Sequence, residues 1–158
     1  MQFQQRRKKY VPDLREMQSL AERNYAAAIG LLPAQYEVGQ TRQVSIHDSL
    51  TFELKVLTDA PYTTDIQVEQ QQSRALLQTR FVMRLYHDMQ LAEIISSQGL
   101  ERFAASYEQP NPHMHQRDER RQINHFLADW LKLCFQRGRW HDVSIATHHS
   151  GLQFQVKR

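Results

Sequence analysis

The stretch from His115 to Arg139, HQRDERRQINHFLADWLKLCFQRGR, constrains the fold more than any other part of the chain. Its apolar residues Ile123, Phe126, Leu127, Trp130, Leu131 and Cys134 recur at intervals of three and four, which lines them along one face of an α-helix. Such a face must be covered by other elements. Arg120, Arg121, His125, Asp129, Lys132 and Gln136 fall largely outside the stripe. Asp118 and Glu119 put negative charge near the positive end of the helix dipole, and Gly138 stands where a left-handed cap would end the helix. Full burial of Phe126, Leu127, Trp130 and Leu131 contributes on the order of 1.5–3 kcal/mol each, against about 1 kcal/mol or less for an exposed ion pair. Packing, not charge, holds this helix.

The 158 residues suffice for one domain with a substantial core and are few for two. Residues 1–10, glutamine-rich and carrying Arg6, Arg7, Lys8 and Lys9, read as a basic flexible arm, and residues 11–158 as a single α+β domain. No apolar core of signal-peptide length follows the basic residues, and no span is long enough to cross a bilayer. The single cysteine, Cys134, cannot form an internal disulfide and lies on an apolar stripe, so the expectation is a cytoplasmic protein.

A second helical pattern runs from about 13 to 32 through Leu14, Met17, Leu20, Ala21, Tyr25, Ala28 and Leu32, opened by Pro12–Asp13 and closed by Pro33. From Thr41 the period changes to two, the mark of strands with one buried face. Val44 and Ile46, then Phe52, Leu54 and Val56, form a hairpin around His47-Asp48-Ser49. Tyr62, Thr64, Ile66 and Val68 give a third strand after Asp59-Ala60-Pro61, and Phe81, Met83 and Leu85 a fourth before a turn at His87-Asp88. The fifth strand fits either Leu91, Glu93 and Ile95 or Ala92 and Ile94 facing inward. Glu101 to Tyr107 reads as a sixth strand or a short helical turn, and Gln109-Pro110-Asn111-Pro112 as a rigid connector. Beyond Gly138, Val143 and Ile145 with Leu152, Phe154 and Val156 read as a terminal hairpin able to extend the sheet. The sum is an α+β domain: a mostly antiparallel sheet packed with an N-terminal helix and the long helix, plus that hairpin.

Several motifs stand together: Tyr10-x-Pro12-Asp13 with Met17, Leu20, Glu22 and Asn24; Leu31-Leu32-Pro33; Arg84-Leu85-Tyr86-His87-Asp88 with Ala92-Glu93; and His115 to Glu119 with Gln122, Asn124, Phe126 to Leu131 and Cys134. Together they resemble the YqiB-like family of small proteobacterial proteins, a domain of unknown function, over about residues 10–138. The resemblance implies a bacterial cytoplasmic protein and carries over no activity, cofactor or catalytic residue. The arm before Tyr10 and the hairpin after Arg139 look like additions to the family pattern.

Three groups of residues are candidates for chemistry. His113-Met114-His115 with Asp118, joined by His87 and Asp88, has the donors for a zinc-type metal, but the spacing matches no established metal motif, and capping of the helix start with loop hydrogen bonding is the better account. Tyr86-His87-Asp88 places a carboxylate beside an imidazole that could serve as a base, yet no nucleophile motif accompanies it, and a hairpin turn accounts for it; His148-His149 reads the same way. A basic surface from Arg117, Arg120 and Arg121, with Arg84, Arg102 and the arm, could hold phosphates or an acidic partner, or simply pair with nearby carboxylates. The formal charge of +3 is too small to imply nucleic-acid binding by itself.

The reading these support is a non-catalytic accessory or regulatory protein that binds a protein partner or a small anionic ligand at the junction of the main helix and the sheet. Arg84, His87, His115, Arg117 and Arg121 are the expected surface, and no cofactor is expected. The alternatives are an RNA- or ribosome-associated protein using the basic arm, and a metal-assisted hydrolase of a nucleotide or phosphoester with His115, Asp118 and His87 as its metal ligands.

Overall fold

Asp13 opens the first helix. In a computed structural model, which describes residues 13–71, 78–100 and 119–143, its carboxylate accepts from the backbone N–H groups of Arg15 and Glu16. That caps helix α1, Leu14–Leu31. Strands β1 (Thr41–His47), β2 (Leu50–Asp59), β3 (Thr63–Gln70), β4 (Arg80–Tyr86) and β5 (Leu91–Gln98) follow, then helix α2 (Glu119–Arg137) and strand β6 (Arg139–Val143). The expected arm, the Glu101–Tyr107 strand, the proline connector, Arg102, residues 113–118, His148–His149 and all of the expected terminal hairpin beyond Val143 lie outside the described residues.

The six strands form one antiparallel sheet in the order β5-β4-β3-β2-β1-β6. Period-two alternation sorts its side chains. Val44, Phe52, Leu54, Ile66, Val68, Phe81, Met83 and Leu85 face the helices and are buried with Ala28 and Leu31 of α1 and Leu127, Trp130 and Leu131 of α2. Trp130 is the centre of this layer, edge-on to Phe52 at 5.6 Å and to Phe81 at 5.3 Å, a geometry aromatic pairs prefer.

The fifth strand's register is settled by its neighbour. Ala92 lies opposite Leu85 and Ile94 opposite Met83, so these two face inward and Glu93, opposite Arg84, faces out. A bulge between Val82 and Met83 then disrupts the alternation, leaving Ile95 40 % exposed. Helix α2 also covers part of this edge strand: the Asn124 side-chain carbonyl accepts from the Ile94 backbone N–H at 3.4 Å, while Asn24 of α1 donates to the Asn124 backbone carbonyl at 3.1 Å. Two buried amides thus tie both helices to β5.

Gly138 does not act as a left-handed cap; the glycines with positive φ among the described residues are Gly39 and Gly99. Its N–H still closes the helix on the Cys134 carbonyl. Glycine is required there because a Cβ would lie 2.7 Å from Val44 Cγ2 and closer still to the Cys134 carbonyl oxygen. The chain therefore passes from helix directly into β6, earlier than the alternation from Val143 suggested, and β6 adds to the sheet beside β1. Arg42 supports the same corner: it donates to the Leu31 carbonyl at the end of α1 and lies 4.4 Å over the Trp140 ring.

Candidate functional site

Residues 84–87 of β4 and the turn after it feed two different sites, because consecutive strand residues point to opposite faces. On the helix side, His87 meets Tyr25 of α1 and Thr64 of β3. The Tyr25 hydroxyl lies 2.9 Å from Nδ1 and the Thr64 hydroxyl 2.7 Å from Nε2. Thr64 is fully buried, donates its one proton to Asp59 Oδ1 at 2.9 Å, and lies 3.1 Å from the Tyr36 hydroxyl.

The proton positions follow by elimination. Because the hydroxyl of Thr64 has one hydrogen and gives it to a carboxylate, it accepts from both Tyr36 and His87. His87 therefore carries its proton on Nε2, and in the neutral ring its bare Nδ1 accepts from Tyr25. The donors run in one direction, from Tyr25 through His87 and Thr64 to Asp59. This order differs from a nucleophile–base–acid triad, in which histidine sits between hydroxyl and carboxylate and takes the hydroxyl proton. Here the hydroxyl proton already points at the carboxylate and the imidazole N–H points at the hydroxyl oxygen, so His87 is not placed to take the Thr64 proton. The arrangement orients and locks.

The outer face is built from full charges. Arg84 grips Asp65 with two parallel bonds, Nε to Oδ1 at 2.7 Å and a terminal nitrogen to Oδ2 at 2.9 Å. Glu93, opposite Arg84 on β5, accepts from the Tyr86 hydroxyl at 2.9 Å through one oxygen and from Arg120 at 2.8 Å through the other. The result is a row across the sheet, Asp65–Arg84–Glu93–Arg120, alternating in sign. Asp65 holds the Arg84 guanidinium well above its ordinary range by hydrogen bonding and charge, and Glu93 raises that of Arg120 in the same way. Desolvation, then the bond to Glu93, raises the Tyr86 phenol, which stays a donor. Accessibility is greatest at the helix end of the row: side-chain exposure is 12 % for Asp65, 36 % for Arg84, 23 % for Glu93 and 72 % for Arg120.

Arg84, His87 and Arg121 thus engage three separate sets of partners. Arg121 binds Glu16 of α1 at 2.8 Å, with His125 3.7 Å from the same oxygen. His115, Arg117 and Asp118 lie outside the described residues, and among those described no group of three or more His, Cys, Asp or Glu side chains comes together to hold a metal ion. Burial pushes the Cys134 thiol up to about 12, so it is an inert core group. The carboxylate that reaches His87 is Asp59 through Thr64, rather than its neighbour Asp88. Tyr25, Tyr36, Asp59 and Thr64 do not stand out in the sequence as site residues. One signal is present: Thr64 alternates with Ile66 and Val68, and a hydroxyl on a buried face needs partners.

The sequence pattern of a family described as protein of unknown function (DUF1249) matches residues 29–140, which takes in β1 to β5, α2 and both sets of site residues except Tyr25. The chain belongs to the DUF1249 family. It is 39 % identical over 133 residues to the uncharacterized protein YqiB of Escherichia coli K12, covering 83 % of this chain and 94 % of that relative. The YqiB proteins of E. coli O6:H1 (strain CFT073) and O157:H7 match to the same extent. The motifs singled out in the sequence therefore point to the correct family. No solved structure matches this chain.

Proposed function

We propose that this DUF1249 member is a non-catalytic accessory protein that engages a protein partner through the outer face of the sheet where it meets the start of α2. One observation carries this reading: Asp65, Arg84 and Glu93 stand in register across three strands and Arg120 of the helix binds Glu93, making a row of alternating charge whose most exposed member comes from the helix. Two positive and two negative groups balance, so a small anion gains nothing from the row unless it displaces a carboxylate already bonded to arginine. A protein surface with its own mixed charges meets each member with its opposite and loses none of these bonds. Among the described residues no helix is long and apolar enough to cross a membrane. Cys134 is a free, buried thiol, which suits the reducing cytoplasm, the expected place of work.

The test is photo-crosslinking in living cells, with the crosslinking amino acid placed at Leu91, beside the row, and at Lys132, an exposed position elsewhere on α2. A discrete protein adduct from position 91, absent from 132 and lost when Arg84→Ala and Arg120→Ala are combined, is the expected result. No adduct at 91, or equal adducts from both positions, contradicts the reading.

A further inference from the structure

The outer face can be matched against itself. The row Asp65–Arg84–Glu93–Arg120 reads minus, plus, minus, plus across β3, β4, β5 and the start of α2. A twofold axis parallel to the strands, passing between β4 and β5, reverses the row while laying one copy of the face on another. Every position then meets its opposite sign: Arg84 faces Glu93 of the partner subunit, and Asp65 faces Arg120 of the partner subunit. A twofold axis along the row instead sets each residue against its own kind, which charge repulsion forbids.

The neighbouring positions agree with the first axis. Tyr86 lies opposite Leu91 in the β4–β5 register, so the operation stacks Tyr86 of each copy on Leu91 of the partner subunit. On the other side of the row, Val82 lies opposite Ser96, and the operation brings these two together without a charge. Strands related in this way run nearly parallel between the two layers, as in aligned sheet packing.

We propose that the partner of this face is a second copy of the chain, in a twofold face-to-face dimer of the β3–β5 surfaces. This rests on reading the outer face as a recognition surface. With strands about 4.8 Å apart and rising about 3.3 Å per residue, the patch measures roughly 20 by 25 Å. That is at the low end for specific interfaces, so the dimer forms reversibly, depends on concentration and weakens with salt.

The experiment is analytical ultracentrifugation of the purified chain and of two charge reversals, Arg84→Glu and Glu93→Arg, alone and mixed. The wild type is expected to dimerise with rising concentration and at least tenfold more weakly in high salt. Each variant alone sets like charges together and is expected to be at least tenfold weaker. Their equimolar mixture restores every opposite pair and is expected to recover association as a heterodimer, which a variant that merely misfolds cannot do. Arg120→Glu, altered at an exposed helix position, is a second test and is expected to weaken the dimer while leaving the thermal midpoint nearly unchanged. A wild type monomeric at every concentration, or a mixture no better than its components, overturns the dimer. If position 91 crosslinks to another protein in cells while the pure chain stays monomeric, the dimer fails and the recognition surface stands.

Discussion

Arg84 and His87 are three residues apart and belong to two different kinds of construction. The His87 side uses hydroxyls and an imidazole that end on one carboxylate, Asp59, with Thr64 taking part in three hydrogen bonds inside the protein. The Arg84 side uses full charges at a partly open face, each held by a neighbour yet able to attract a second opposite charge. Groups that spend their hydrogen bonds on one another fix geometry and have little left to offer a partner. Alternating charges at a partly open face are suited to recognition, and the exposed Arg120 end adds little to stability. Strand alternation lets one short segment, Arg-Leu-Tyr-His, serve both.

The largest expected effect breaks the inner side. Thr64→Val keeps shape but strands His87 Nε2 and the Tyr36 hydroxyl, and should lower unfolding free energy by about 2–3 kcal/mol in urea titration. Thr64→Ser keeps the hydroxyl and should cost only about 1 kcal/mol, near the value of one buried methyl group. Equal losses from the two variants would show that the hydroxyl is idle. Next in size, Tyr25→Phe should cost about 1 kcal/mol by removing the donor to Nδ1. The two changes should be non-additive, since both act through His87; a double-mutant cycle measures the coupling.

These networks mark where the sequence is and is not legible. The stripe of α2 and the alternation of β1 to β4 can be read directly, because both depend on residues within a few positions of one another. The His87 network cannot, since it joins positions 25, 36, 59, 64 and 87 through the fold. The register of β5 stays open in the sequence because residues of both parities are apolar, and only pairing with Leu85 and Met83 decides it. Gly138 resembles a left-handed cap because the close approach of Val44, from a distant strand, has no local signature. Of the expected surface, the sequence points to Arg84 but not to its carboxylate partner Asp65, which alternation places on the outer face while register alone places it beside Arg84.

Outer-face changes should be smaller in stability. Arg120→Ala should move unfolding free energy by less than about 0.5 kcal/mol, as exposed ion pairs do, while its effect on association is tenfold or more. A large loss of stability on Arg120→Ala would erase the distinction between the two sides. The smallest effect is at alkaline pH. Folding raises the Tyr86 phenol above its ordinary value of 10.0, so the folded state retains a proton the unfolded chain gives up. Its contribution is complete below pH 10 and falls as pH rises through the folded value. Tyr86→Phe should flatten the decline of the thermal midpoint above that pH, and an unchanged slope would mean the phenol is no better protected folded than unfolded.

The most direct measurement is a two-dimensional amide NMR spectrum recorded from dilute to concentrated protein, and again with any partner recovered by crosslinking. The expected result is concentration-dependent shifts at Arg84, Tyr86, Glu93 and Arg120, with Tyr25, Thr64 and His87 unmoved. Shifts centred on Tyr25, Thr64 and His87, with the outer row silent, would place recognition on the wrong side of the sheet.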